Sequence, residues 1–238
     1  MKKRLVVLLC LAFAAMSVLG ACGKKSGGNG RSFDSIESDR LTEEEWIAAV
    51  DATCAADNVS VDMCFTIIEG AEKTESTESG SYRSVGNTKF VYNHKAVHEN
   101  KEKKYPDLYA TEQYEFVYDI ENSVWVRRSI AHEGSVIIGV IESLTQDLRD
   151  KYSLFTYDEK QSAYVYSGME SEWEKTVARS KSIKFKDGKI AGIRTTYVFD
   201  SSEEKSEHVF YDYGKTKIDP LPTEWEERSD EWWEETEF

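Results

Sequence analysis

The amino-acid sequence predicts an α+β fold: a single curved antiparallel sheet with helices covering its concave face. Three observations predict it. Segment after segment alternates apolar and polar residues with a period of two, the spacing of half-buried strands. Only two segments carry the helical period. Short turn signals join successive strands, the strongest being Asp187-Gly188, where both residues tolerate positive φ. An early helix, a central helix and many hairpin-joined strands assemble most simply as one sheet wrapping its helices.

The first helix announces its start. Thr42 and Glu45 have capping-box spacing, so each side chain can satisfy a free backbone NH of the other. Leu41 and Trp46 are placed for a hydrophobic staple. Trp46, Ile47, Val50, Thr53 and Cys54 then recur on one face, and Asp57-Asn58 ends the run. Next, Val59, Val61, Met63, Phe65 and Ile67 alternate with Ser60, Asp62, Cys64 and Thr66 as a half-buried strand. The polar stretch from Glu69 to Ser79 reads as a hairpin or loop, with shorter strands from Lys89 to Tyr92 and from Ala96 to His98. Tyr114, Phe116 and Tyr118 face one way on a strand that turns at 120–123 into Val124–Arg128, a hairpin.

A second helix is expected from Ser135 to Asp150, with Val136, Ile137, Val140, Ile141, Leu144 and Leu148 as its apolar stripe. Strands return at 154–157 and 163–166, then at 182–186 and 189–199 around Asp187-Gly188, and last at 208–213. Pro220 and Pro222 end the sheet because proline supplies no ladder NH. The tail at 223–238 holds eight acidic residues against Arg228, together with Trp225, Trp232, Trp233 and Phe238. It reads either as a solvated, frayed terminus or as a short amphipathic helix that docks on the domain or on a protein partner. On a helix the three tryptophans lie about two turns apart and share a face.

The 238 residues suit one domain beyond the N-terminal segments. A net charge of −14 repels nucleic acid and sets that partner class aside. The N-terminus has the layout of a secretory signal: Lys2, Lys3 and Arg4, an apolar run from Leu5 to Leu19, then small residues. The run Leu19-Gly20-Ala21-Cys22 resembles a bacterial lipoprotein lipobox. That resemblance implies a diacylglyceryl thioether on Cys22, cleavage before it, and a mature chain held on the outer face of the bacterial cell membrane. More than one acyl chain gives stable anchoring, with palmitate a natural constituent. Residues 1–21 are then the signal peptide, 22–40 a flexible tether too polar to bury itself, 41–222 the folded domain and 223–238 the tail. With Cys10 removed and Cys22 lipidated, Cys54 and Cys64 remain, either as a disulfide, which an extracytoplasmic site permits, or as two buried thiols.

Several features resemble LolA-like and LppX-like lipoproteins. They are the capped helix feeding Val59–Ile67, the helix Ser135–Asp150 leading into Leu154-Phe155-Thr156-Tyr157, and two late phrases. These phrases are Phe185-Lys186-Asp187-Gly188-Lys189-Ile190 and Phe210-Tyr211-Asp212-Tyr213-Gly214-Lys215. The resemblance spans most of 41–219. It implies an incomplete antiparallel β-barrel with helices over the concave side, and a concave face that holds acyl chains. The apolar and aromatic strand positions Val61, Met63, Phe65, Phe90, Tyr92, Tyr114, Phe116, Tyr118 and Phe185 are the candidate contacts to a lipid or other amphiphile. The alternative role for them is core packed against the two helices. The function expected is noncatalytic binding by a membrane-anchored cell-envelope lipoprotein. The alternative is a surface module for a protein or cell-wall partner, with the half-barrel as ligand-free scaffold.

No catalytic motif emerges. His94 and His98 have metal-binding spacing only on a helix, and their segment reads as strand and loop. The remaining histidines are His132 and His208. There is no Gly-x-Ser-x-Gly elbow and no phosphate-cradling glycine loop. The chain is therefore expected to need no cofactor or metal and to catalyse nothing.

Overall fold

The computed structural model describes residues 31–69, 74–98, 101–129, 145–172, 175–229 and 232–233. One helix, α1 (Glu43–Cys54), precedes twelve strands: β1 (Asn58–Glu69), β2 (Thr74–Val85), β3 (Thr88–His98), β4 (Lys101–Lys104), β5 (Leu108–Ala110), β6 (Tyr114–Asp119), β7 (Val124–Ser129), β8 (Thr156–Asp158), β9 (Ala163–Glu172), β10 (Lys175–Lys186), β11 (Lys189–Val198) and β12 (Ser202–Tyr211). They form one sheet in the order β7-β6-β5-β3-β2-β1-β12-β11-β10-β9-β8, with β4 on β3. All the ladders between named strands are antiparallel. The first and last strands meet at the centre of the order, and β7 and β8 end it without pairing to each other. The sheet is therefore an incomplete barrel, the fold that the resemblance to LolA-like and LppX-like lipoproteins implies.

The capping box forms as the spacing predicts. Glu45 donates its backbone NH to Thr42 Oγ1 at 3.3 Å, and Thr42 donates its own to Glu45 Oε2 at 2.7 Å. The helix lays Trp46, Ala49, Val50 and Thr53 on the sheet. This inner face is the core. Val59, Val61 and Met63 of β1, Tyr82 of β2, Val91 of β3, Tyr164 of β9, Ile183 and Phe185 of β10, Ile190 and Ile193 of β11 and Phe210 of β12 all join Trp46 there. Trp46 is fully buried, with its ring 4.7 Å from Phe185 and 5.3 Å from Tyr164. Burial on that scale contributes about 3 kcal/mol.

Most of the predicted second helix, residues 135–144, lies outside the described residues. Its described end holds a single 3-10 turn, Gln146–Leu148. Leu148 reaches the core, and its carbonyl accepts the Trp46 indole NH at 2.8 Å. The Asp187-Gly188 turn is as expected, with φ of 52° and 68°. The polar stretch at 69–79 is different. Thr74 to Ser79 begins a full strand, β2, which pairs along its whole length with β1. Two flanking ladders organise this segment, so it needs no apolar alternation of its own. Likewise, the two short strands expected around 89–98 are one strand, β3, interrupted by a bulge.

The polar N-terminal segment is also packed where a tether was expected. Phe33 is 1% exposed and lies on the outer face, over Gly192. A Cβ on Gly192 would come within 2.8 Å of the Phe33 ring, so only glycine leaves room for it. Lys184 and Arg194 both stack against that ring, Lys184 donates to the Ile36 carbonyl at 2.7 Å, and Arg194 pairs with Asp34 and Glu207. The packed structure thus begins near Ser32, about ten residues before the predicted boundary.

Candidate binding cavity

The inner face has two regions. Around Trp46 it is filled by its own side chains. Farther along β1, β2 and β3 it leaves a small hollow that encloses about 10 Å³, lined by Met63, Phe65, Glu78, Ser79, Gly80, Val91 and His94. Strand register builds this cavity. Met63 lies opposite Gly80, and Phe65 opposite Glu78. Gly80 has no side chain to fill the space before Met63. A Cβ added there would sit 3.6 Å from His94, in ordinary contact, so this glycine answers to no steric demand of the backbone and leaves the hollow open.

His94 is aimed by the bulge. Ser79 pairs with Lys95 and Ser81 with Tyr92, so both Asn93 and His94 oppose Gly80. Asn93 takes up the extra residue with φ of 54°. A bulge of this kind shifts the alternation by one and re-aims the residues beyond it. His94 Nε2 then lies 2.5 Å from Glu78 Oε1. Its ring stacks on Tyr105, with centroids 4.2 Å apart. Burial, and then the negative charge of Glu78, raise the Tyr105 phenol above its usual pKa. One wall of the cavity is thus polar (Glu78, His94), and the others are apolar (Met63, Phe65, Val91).

His208 sits on the other side of β1, in register with Met63, with its ring edge-on to Phe65 at 5.7 Å. It is 3% exposed, and its Nδ1 has no hydrogen-bond partner among the described residues. Burial, and secondarily the Lys181 charge, push its pKa down to about 4. The imidazole is neutral at pH 7. His98 lies near the end of β3, its Nδ1 2.6 Å from Ser76 Oγ. Among the described residues no three His, Cys, Asp or Glu side chains converge as metal ligands.

The structure divides the nine candidate contacts. Val61, Met63, Phe65 and Phe185 face inward, and of these Met63 and Phe65 line the cavity. Val61 and Phe185 are sealed in the core. Phe90, Tyr92, Tyr114, Phe116 and Tyr118 lie on the outer face. There Phe90, Tyr109 and Phe116 form a separate cluster under Ile218 and Leu221, and Tyr118 packs on Trp125. These five are not brought to the cavity. The alternation correctly grouped residues within each strand, but both faces of this sheet are covered, so apolar character does not distinguish inside from outside. Glu78, Gly80, Val91 and His94 escaped the sequence reading. Glu78 fell in the supposed loop, and the bulge that aims His94 leaves no apolar signal.

The cysteine bridge is not formed between Cys54 and Cys64. Cys54 is a free thiol at the exposed end of α1, with Sγ 3.0 Å from Thr145 Oγ1. Thr53, one position earlier, carries the inward direction predicted for it. Cys22 lies outside the described residues. No helix among the described residues is long and apolar enough to cross a membrane.

No protein-family model and no curated protein matches the chain. Among solved structures it is similar to LprF from Mycobacterium bovis, with 9% identity and a TM-score of 0.40, over 76% of this chain and 96% of that one. It is also similar to a LolA superfamily protein from Nitrosomonas europaea, with 12% identity and a TM-score of 0.32, over 76% and 94% of the two chains. The fold assignment stands on strand order and register rather than on these distant likenesses.

Proposed function

We propose that the protein is a lipid-anchored, noncatalytic lipoprotein of the bacterial cell envelope that binds an amphiphile in the inner-face cavity. The observation that carries this reading is the hollow at Gly80. Its walls are apolar on the Met63, Phe65 and Val91 side and polar at Glu78 and His94, the division that an amphiphile needs. A few placed polar groups in an apolar concavity are the usual signature of a small-molecule site. The space enclosed in the hollow is about 10 Å³, room for about one water, so a bound amphiphile would lie chiefly along the inner face toward Ile67, which is 38% exposed, with only its tip at the hollow.

The anchor is argued from the lipobox resemblance at Cys22, and the outer-face location follows from it. The rival role, a partner-capturing tail, is less well supported. Trp225, Trp232 and Trp233 pack on the protein's own β6–β7 hairpin or on each other.

Two measurements test the reading. The chain from Gly23 onward, purified without its signal, is extracted with organic solvent, analysed by mass spectrometry and then titrated with short-chain amphiphiles. Binding is expected in the wild type and is expected to fall at least tenfold in Gly80→Leu, whose side chain fills the hollow. A folded wild-type protein that neither carries nor takes up any amphiphile overturns the reading. For the anchor, labelled palmitate should enter the full chain in bacteria but not its Cys22→Ala variant.

A further inference from the structure

The edges of the sheet are guarded unequally. The β7 edge is covered by the tail, where Glu226 exchanges backbone hydrogen bonds with Trp125 and Arg127. The β4 edge, Lys101-Glu102-Lys103-Lys104, is charged and exposed at every position, a usual guard against pairing with another chain. Strand β9 has neither device. β8 pairs with it only at Ala163, Tyr164 and Val165. Before Thr156 the chain turns off into the 3-10 turn Tyr152–Leu154. Among the described residues, therefore, β9 from Tyr166 to Glu172 has a ladder on the β10 side alone. Ser167-Gly168-Met169 in this stretch carries no charge. Met169 is 64% exposed, and Leu154, just before β8, is 54% exposed. Unpaired backbone beside exposed apolar side chains is where a further strand adds to a sheet.

This stretch is complementary to itself. When two copies of one strand pair antiparallel about a two-fold axis, the axis passes through a residue opposite its own counterpart, because neighbours along a strand point to opposite faces. Centring on Met169 engages the whole of 166–172: Gly168 meets Glu170, Ser167 meets Ser171 and Tyr166 meets Glu172. No two acidic positions are opposed, and the exposed Met169 meets a second methionine. Centring on Gly168 or on Glu170 engages a shorter stretch, because β8 already occupies Val165 and the strand ends at Glu172. Centring on Glu170 also sets two acids against each other, which is destabilising. Glycine at 168 has a further reason. A Cβ there would collide with the Tyr166 hydroxyl, so glycine lets that ring lie along the strand.

We propose that β9 pairs antiparallel with β9 of a second copy of this chain about a two-fold axis at Met169, joining two half-barrels into one continuous sheet. The contact is small and belongs to the weak, transient class of interfaces. The net charge of −14 on each chain also opposes it at long range. In free solution the dissociation constant is therefore expected on the order of 100 μM.

The test is sedimentation velocity of the chain from Gly23 onward, with its tail intact so that β7 stays covered, from about 5 to about 500 μM. A monomer at the low end and a dimer at the high end are expected. Met169→Lys changes a solvent-facing position, so thermal unfolding should be unaltered. It sets two like charges opposite each other at the axis and is expected to weaken association at least tenfold. Cross-linking reads the register. In a Cys54→Ser chain, Met169→Cys places two thiols at a Cα separation that a disulfide spans. Mild oxidation is expected to give a covalent dimer at least tenfold faster than with Ile120→Cys, at a position 53% exposed in the β6–β7 turn. A wild type that stays monomeric throughout overturns the proposal. So does association that Met169→Lys leaves unchanged, since the interface then lies elsewhere. Cross-linking no faster at 169 than at 120 overturns the Met169-centred pairing.

Discussion

His208 is a buried imidazole with an unpaired nitrogen, and its consequences are read in pH. In an unfolded chain a histidine takes up a proton below about pH 6.5. In the folded protein, burial delays this to about pH 4. Between these values the unfolded state holds more protons, so stability is full above pH 6.5 and is lost as the pH falls toward 4. The shift corresponds to about 3 kcal/mol. Urea unfolding at pH 7 and at pH 4.5 should show the wild type losing more stability than His208→Phe, which has nothing there to protonate. A variant that loses as much as the wild type would show that His208 is not the responsible group. Gly80 and Gly192 make a related point. Neither has positive φ, and each is read from what surrounds it: one leaves a hollow open, and the other makes room for Phe33.

Strands and segments differ in how much of their role they carry locally. Helix α1 carries its own: cap, staple and stripe are all local in sequence, and all are found. Strand β2 carries little, because its Thr, Ser and Glu residues take strand form from the ladders of β1 and β3 on either side. The tail is an intermediate case. A helix would put its tryptophans on one face, yet residues 223–229 run extended along β7. Arg127 donates its backbone NH to the Glu226 carbonyl, and Glu226 donates to that of Trp125. Trp225 therefore lies on the outer face, against Phe116 and under the Arg127 guanidinium, while Trp233 lies on the inner face with Val117, Val126 and Arg128. The tail wraps the free edge of β7, which would otherwise offer unpaired backbone groups to another chain. Deleting residues 223–238 should lower Tm by about 5 °C or more, from the tryptophan burial lost. It should also promote concentration-dependent association, visible in sedimentation. An unchanged Tm and a monomeric species would show that the tail merely rests on the surface.

On the scale of the whole molecule, the outer face of the sheet is covered by the two ends of the chain. The N-terminal segment covers the outer face over β10, β11 and β12, and the C-terminal segment covers it over β3, β5 and β6. The folded unit therefore starts near Ser32. A chain begun at Arg31 should match the longer chain in stability. One begun at Leu41 should lose about 2–3 kcal/mol, because Phe33 and its cover over Lys184 are gone. Equal unfolding midpoints for the two would return residues 31–40 to the tether.

The amino-acid sequence by itself determined the class of fold, the capped helix, the Asp187-Gly188 hairpin and the side-chain grouping within the clear strands, because each depends on contacts between near neighbours. It also carried the lipobox pattern that points to an anchor. The tertiary structure decided which face of each strand lies inside, that Phe90 and Tyr114 belong to the outer cluster while Met63 and Phe65 border the cavity, and that Cys54 stands apart from Cys64. It alone brought Glu78, Gly80 and His94 together. Alternation leaves the two faces of a strand equivalent, and only pairing register, a bulge and the covering segments distinguish them.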